Sequence, residues 1–556
     1  MQQYSLHCCL LYLRSIFQPH ASNPRQRTTM SDDDIPALEI DGESPSELAV
    51  DAGSSHCASS LGIEIESDEA VMEQACRPSQ DEHFLADLSS ESDESGTQMR
   101  TGSHLDLPGG LPQLEVIAGK HLATSFAKRF TWPHAILWLL QQRLGPNGLQ
   151  ASLLGRRMTV STHFSGIGAA EKAMSMLQQV FHLFGLFAAP LVSVFACDCS
   201  PRTWPILFAS LPGQCVFKNI KGLCPLPPSL SSGEVDFHQM RHAVLQSFRM
   251  SEMECARHDQ ACRPCHSDGN VSGSPCPPWS SSGLRRGRRD ARTALLLIWM
   301  MWVLAAMPLW AIHENVKGFD TSLLEEFLGV HYLIFHIYTS PADVGFGYIR
   351  RPRIFSVILR RGAVVVLHDI VATYRGVCSA LRSMEGRLAP AEIFSATAPA
   401  LLREENAKRQ SRKLPPLREC SLDWSYLLTD AQAGRIRDYT TLWQRCRQSR
   451  PEEDDKCIFD LSQNPLKRPA MSSATGSLPC LRHNGNILWS PKRRRWLLAV
   501  ECGSLMGFPM ADEFASVLGW PADENAYTMR QLGNAMHVAN VGAVIAVTLA
   551  CTRIAQ

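Results

Sequence analysis

The chain has 556 residues, of which 45% are hydrophobic, enough to bury a sizeable core and to form two or three domains. Its formal net charge is zero, which excludes a partner chosen by bulk charge, so only the placement of charge is informative. Nineteen cysteines without regular spacing, and no convincing secretory signal, read as reduced thiols of an intracellular protein.

Residues 1–29 hold Arg14, Arg25 and Arg27, no acids, and an apolar patch from Cys8 to Leu13. They read as an upstream extension with Met30 as the working start; an organellar transit peptide is the alternative. Residues 31–110 carry twenty acidic residues against two basic ones, with no apolar period. Such a composition does not offset its ordering entropy, so residues 1–115 are expected to be a disordered acidic region.

Helical patterning around Phe126, Trp132, Leu137, Leu139 and Leu140 opens the folded part. Met158 to Phe164 then reads as a strand running into Ser165-Gly166-Ile167-Gly168 and a helix to about Leu186. Strand, glycine turn and helix open a nucleotide-type α/β fold, because glycines let a ligand approach the backbone and the helix start offers free N–H groups. A second strand, Leu191 to Ala196, ends in Cys197-Asp198, where such folds place the acid for ribose hydroxyls. A third is expected at Cys215–Ile220. Residues 223–272 read as an irregular surface insertion. Cys255, His258, Cys262, Cys265 and His266 offer metal-ligand types there, and Cys262 to His266 matches the haem-attachment spacing, but no metal or haem is assigned.

Cys276 sits between Pro275 and Pro277, whose rings stiffen the backbone on both sides and suit a thiol that must stay aimed. A plain structural loop fits equally. The run of arginines from Arg285 to Arg292 follows, with a helix from near Asp290. Ala294 to Ile312 is a run of nineteen apolar residues, long enough to suggest a membrane span. Pro308 breaks it, and polar residues abut both ends, so it is read as a helix to about Ala306 and a buried strand Leu309–His313, with no membrane partner. Glu314-Asn315-Val316 ends that strand.

Taken in order, these stretches resemble the cytosine-C5 DNA methyltransferase family over about 155–362 and 486–556. Phe164 to Gly168 resembles its first motif; Ser274-Pro275-Cys276 its Pro-Cys loop; Glu314-Asn315-Val316 its Glu-Asn-Val motif. Arg351-Pro352-Arg353 resembles the end of the eighth motif, Leu505 to Pro509 the ninth, and Gln531 to Met536, including Asn534, the tenth. The departures are Asp198 in place of Glu, Asn219 where an Asp is usual, Ile349 or Tyr348 in place of Gln, and Ser504 in place of Arg.

The resemblance implies a Rossmann-like α/β methyltransferase domain built from residues 116–362 and 489–556, with a target-recognition region at 363–488. It implies S-adenosylmethionine as cofactor, held by Phe164, Ser165, Gly166, Ile167, Gly168, Asp198, Asn219, Ile220, Pro275 and Asn534. Catalysis falls to Cys276, Glu314, Arg351 and Arg353. Cytosine C5 is a poor nucleophile; a thiolate adding to C6 enriches it, a carboxyl near N3 offsets the charge that develops, and positive residues keep the thiol ionised. Arg285, Arg286 and the start of the helix near Asp290 are expected to supply that positive charge, and Arg351 and Arg353 to contact the base or a phosphate. The target base must be flipped out of its stack. The expected partner is duplex DNA and the expected location the nucleus; RNA, on which one branch of the family acts, and a non-catalytic nucleic-acid binder are the alternatives. In the recognition region, scattered Arg and Lys with Trp424, Tyr426, Tyr439 and Trp443 read either as phosphate contacts with base-stacking aromatics or as a solvated face over an aromatic core. Lys492 to Arg495 reads as a phosphate contact or nuclear signal.

Overall fold

The computed structural model describes residues 128–186, 190–281, 283–384, 390–510 and 525–555. The expectations for residues 1–115 and for Phe126 lie outside them.

A nine-stranded sheet organises the fold: β1 Met158–His163, β2 Leu191–Cys197, β3 Cys215–Phe217, β4 Met253–Cys255, β5 Gln260–Cys262, β6 Gly269–Ser272, β7 Trp310–Val316, β8 Tyr332–Thr339 and β9 Arg353–Arg360. They lie in the order β5-β4-β3-β2-β1-β6-β7-β9-β8. The five strands from β3 to β7 are mutually parallel. β9 runs antiparallel between β7 and β8, and the β4–β5 hairpin extends the β3 edge. This is the Rossmann-like methyltransferase architecture. The chain steps outward from β1 to β3 and then returns to place β6 against β1; at such a reversal the strand ends splay and leave a crevice.

The apolar run is a core element. Helix Thr293–Ala306 has almost no polar face and is buried nearly all round, with Trp299 and Trp302 fully enclosed. The Trp299 indole donates to Asn270 Oδ1 at 2.9 Å, and Asn270 Nδ2 donates to the Ser161 hydroxyl at 2.9 Å and carbonyl at 3.1 Å. One buried amide thus ties that helix to β1 and β6. The helix begins at Thr293 rather than Asp290, because Asp290 folds back to accept the Arg292 backbone N–H and guanidinium. Of the described residues, Asn525–Ala550 is long and apolar enough to cross a membrane by length and composition, yet 94% of that window is buried inside the protein.

Two expectations change. β3 stops at Phe217, because Asn219 turns the chain and its side-chain oxygen accepts the Lys221 N–H at 2.9 Å, capping a short 3-10 turn. The segment 223–272 is not an irregular insertion. It holds helix Phe237–Ser247, capped by Asp236, and the β4–β5 hairpin.

The C-terminal helix Val538–Ala550 is buried on every residue and packs on helices Ala169–Phe181 and Trp132–Ala151. Gly542 lies so close to the Trp132 ring that any side chain there would collide with it. Strand Val364–Val366 pairs with Thr552–Ile554, and helix Ile370–Met384 joins the main core through Ile370, Tyr374 and Val377. A second core follows, built on Trp424, Tyr439, Trp443, Phe459, Trp489 and Trp496. Trp424, Tyr439 and Trp443 are fully buried, so the aromatic-core reading holds for these three, whereas Tyr426 is exposed and its hydroxyl donates to Glu405 and accepts from Arg409. The basic cluster is likewise matched by acids: Lys492 and Arg493 by Asp455, Arg494 by Asp423, Arg495 by Glu501.

Candidate active site

Strand register places the chemistry. Phe217, Cys197, His163, Ser272 and His313 form one row across β3, β2, β1, β6 and β7. At or just beyond that row come Asp198, Phe164, Gly273 and Glu314, and Cys276 follows within a loop. Residues distant in sequence therefore meet at one edge of the sheet.

At β1 the chain turns sharply. Phe164 has φ +56°, a left-handed conformation rare for a bulky residue, and Gly166 and Gly168 have φ +54° and +76°. Asp198 holds this turn: its carboxylate accepts the Gly166 N–H at 2.8 Å, the Ser200 N–H at 2.9 Å and the Thr203 hydroxyl at 3.0 Å. Burial raises the Asp198 pKa above the usual carboxylate value, and those three bonds oppose the rise. Ile220 is buried beside the exposed Asn219. Ile167 is also buried, as turn packing rather than as a ligand-facing group.

A narrow cleft runs from this turn toward β7, walled by Phe164, Ser165, Gly166, Glu314, Asn534 and Met536. Gly273 forms its floor, where a Cβ would meet the Met536 terminal methyl at 2.7 Å and Glu314 Oε2 at 3.4 Å. A cleft that joins backbone N–H groups at a helix start to a carboxylate, with Asp198 beside it, fits an elongated nucleoside carrying a positive centre.

Behind the turn, Glu171 is buried and receives the Thr162 hydroxyl at 2.5 Å. Burial raises its pKa from an ordinary 4.5 to about 7. The folded protein therefore holds a proton there that the unfolded chain releases, so stability falls as pH rises from about 4.5 to about 7. The full shift is worth about 3 kcal/mol. Glu171→Gln, which stays neutral, should gain about 2 kcal/mol over the parent chain between pH 5 and pH 8 in denaturant unfolding. An equal difference at both pH values would contradict this.

The Pro-Cys loop is fastened on both sides. The Asn315 amide donates to the Ser274 hydroxyl at 3.1 Å and carbonyl at 3.3 Å, and the Ser274 hydroxyl bonds His313 Nε2 at 2.9 Å. The Cys276 carbonyl then accepts the Trp279 and Ser280 N–H groups, curling the chain back. Gly283 packs on the Pro277 carbonyl so closely that no side chain fits there. His313 is fully buried, which lowers its pKa to about 3 and keeps it neutral, stacked on Trp299.

Cys276 is half-buried next to Glu314 and the two arginines. Burial pushes its thiol above the ordinary value; Arg353 and Arg351 pull it back, and Glu314 adds to the rise. The positive charges acting on the thiol are those of Arg353 and Arg351, with Arg292 also within range. Arg286 and Arg289 face Glu234, and Arg288 reaches Asp320 and Glu326.

The two arginines divide the work. Arg353 Nε lies 2.8 Å from Glu314 Oε1, with both side chains largely buried. Arg351 is 2% exposed and donates to the carbonyls of Leu481 at 3.3 Å, Gly533 at 3.1 Å and Ala535 at 2.5 Å. Its guanidinium clips residues 533–535 to the site and is committed to protein carbonyls. Cys480 lies 3.9 Å from Arg351; burial pushes its thiol up, but Arg353 and Arg351 bring it below the ordinary value. No motif marked it.

The structure thus brings Cys276, Glu314 and Arg353 together, with Phe164, Ser165, Gly166 and Asn534 along the cleft. Pro275 lies in the loop itself. Asp198, Asn219 and Ile220 sit at the β2–β3 end. Ser274, His313, Asn315 and Met536 were missing from the expected site. Asn315 stood within a motif, and its amide had an obvious use only once the loop lay beside β7.

A sequence model described as C-5 cytosine-specific DNA methylase matches residues 258–549. No curated protein matches the chain. Among solved structures, the Dnmt2 methyltransferase of S. pombe is 16% identical, with 71% of this chain and 98% of that chain covered and a TM-score of 0.35. The methyltransferase EhMeth of Entamoeba histolytica is 13% identical, with 71% and 98% covered and a TM-score of 0.38. A DNMT2 mutant of Spodoptera frugiperda is 13% identical, with 70% and 99% covered and a TM-score of 0.31. Because that sequence model spans more than half of the 556 residues, the chain belongs to the C-5 cytosine-specific DNA methylase family.

Proposed function

We propose that this chain is a DNA cytosine-5 methyltransferase whose nucleophile is Cys276. Family membership makes the reaction cytosine-C5 methylation and the methyl donor S-adenosylmethionine. The observation that carries the residue assignment is the gathering of Cys276 and Arg353 about Glu314, which lines the cleft that begins at Phe164.

The cofactor supplies an electrophilic methyl group when bound. Phe164, Ser165, Gly166 and Asn534 would line it; Asp198, with three of its roughly four acceptor positions used by the protein, keeps one for a ribose hydroxyl. Asn219 and Ile220 would flank the adenine end and Pro275 the reacting end.

The Cys276 thiol must lose its proton to act, and Arg353 favours the thiolate. The thiolate adds to C6 of a cytosine swung out of its stack, since a half-buried thiol cannot reach a paired base. Electron density moves toward N3 and C5. Glu314 stabilises the N3 side, and Arg353 holds Glu314 in place while facing the same base. Once C5 carries the methyl group, loss of its proton to a solvent base re-forms the C5–C6 double bond and expels the Cys276 thiolate. Asn315 and Ser274 keep the loop in register.

Duplex DNA is favoured by the second hydrophobic core between the arginine motif and the C-terminal helices, which makes the recognition region a substantial one. The test is a radiolabelled methyl-transfer assay on duplex DNA and transfer RNA in parallel, with the product base identified by mass. 5-Methylcytosine in DNA is expected. Label in RNA alone would move the enzyme to the RNA branch, and label in neither would leave a non-catalytic binder.

A further inference from the structure

We propose that Cys215, Cys255, His258 and Cys262 form a structural zinc site at the edge of the sheet, distinct from the catalytic cleft. The four donor atoms come from β3, β4, the turn after β4 and β5, and all lie within 4.8 Å of one another. His258 Nδ1 is 3.5 Å from each of the three sulfurs.

One imidazole nitrogen carries either one proton or one lone pair, so it cannot bond three thiols at once. Equal distances to all three are instead what donors around a shared centre show. With Zn–S bonds of about 2.3 Å and a Zn–N bond of about 2.0–2.1 Å, a tetrahedron places sulfur and nitrogen about 3.5 Å apart. The observed spacing matches without further movement. Three thiolates and one imidazole form a closed tetrahedral set, which selects zinc over the oxygen-preferring cations and has no open position for substrate.

β3, β4 and β5 have three residues each, so few ladder bonds secure this edge of the sheet. The turn is fixed independently: Arg257 donates to the carbonyls of Phe208, Leu211 and Gln214, and the Ala256 N–H reaches the Val216 carbonyl at 2.7 Å. These contacts hold His258 against Cys215, forty-three residues earlier in the chain. That separation is why spacing alone did not bring Cys215 into the group. Cys265 and His266 are exposed and stand outside the cluster, and Cys215 completes it.

The test is metal content of the full chain purified without chelator, by plasma mass spectrometry. About one zinc per chain is expected, falling below about a tenth in Cys262→Ser and His258→Ala and unchanged in Cys265→Ser. Should those variants not fold, the intact chain carries the test. Stripped with an organomercurial and refilled with cobalt(II), it should show the intense visible bands of tetrahedral cobalt and a thiolate-to-cobalt charge-transfer band. Folded protein with less than about a tenth of an equivalent of zinc and no cobalt–thiolate spectrum would overturn the proposal, as would equal loss of zinc in Cys265→Ser.

Discussion

Cys276→Ala is expected to lower methyl transfer by roughly 10⁴-fold or more while cofactor binding stays within about threefold of the parent. Removing the nucleophile removes the only route by which C5 becomes electron-rich. Cys480, the other thiol near the arginine pair, is engaged by the Arg351 guanidinium at 3.9 Å and the Leu481 carbonyl at 3.4 Å. Cys276 is half-buried and its backbone bonds, from Trp279 and Ser280 to its carbonyl, do not involve the side chain. The variant should therefore unfold within about 1 kcal/mol of the parent. Calorimetric titration with S-adenosylmethionine, single-turnover transfer and denaturant unfolding check the three parts separately. Residual transfer above about one per cent would assign the nucleophile elsewhere.

The second large effect is at Glu314. Glu314→Gln keeps the shape but removes the charge and the proton that a carboxyl can share with N3, so transfer should fall by about 10²–10⁴-fold. The same substitution should make Cys276 more reactive. Glu314 raises the thiol's pKa, and its carboxylate also engages Arg353, the residue that lowers it. Losing that charge lowers the thiol pKa on both counts, so alkylation of Cys276 by iodoacetamide near neutral pH should be faster. A merely structural acid would slow transfer without accelerating alkylation. Slower alkylation together with slower transfer would mean that Glu314 positions the loop.

Much of this fold was legible in the sequence because parallel strands are marked by composition. Leu191–Cys197 and the segment around Trp310 are nearly continuous apolar runs, as buried strands must be. The glycine turn after β1 and the prolines around Cys276 mark backbone requirements that few other residues meet. What the sequence hid depends on partners far away along the chain. Arg351 and Arg353 look alike in a motif, yet one faces Glu314 and the other is surrounded by the carbonyls of Leu481, Gly533 and Ala535. Arginines 285–289 look like a field around the thiol, but Glu234, Asp320 and Glu326 draw several of them away. Trp424, Tyr439 and Trp443 among basic residues suggested stacking on bases, and only packing shows that they close a core. Charge and aromaticity are local properties, whereas direction is set by the whole fold.

Covalent trapping on duplex DNA containing 5-fluorocytosine tests the central claim most directly. Fluorine at C5 blocks the final elimination, so in the presence of S-adenosylmethionine the parent chain should remain bonded to DNA through denaturing electrophoresis, with the modified peptide containing Cys276. The Cys276→Ala chain should show no such band. Absence of a complex from folded parent protein on DNA, or a complex that survives the Cys276→Ala substitution, would contradict the assignment.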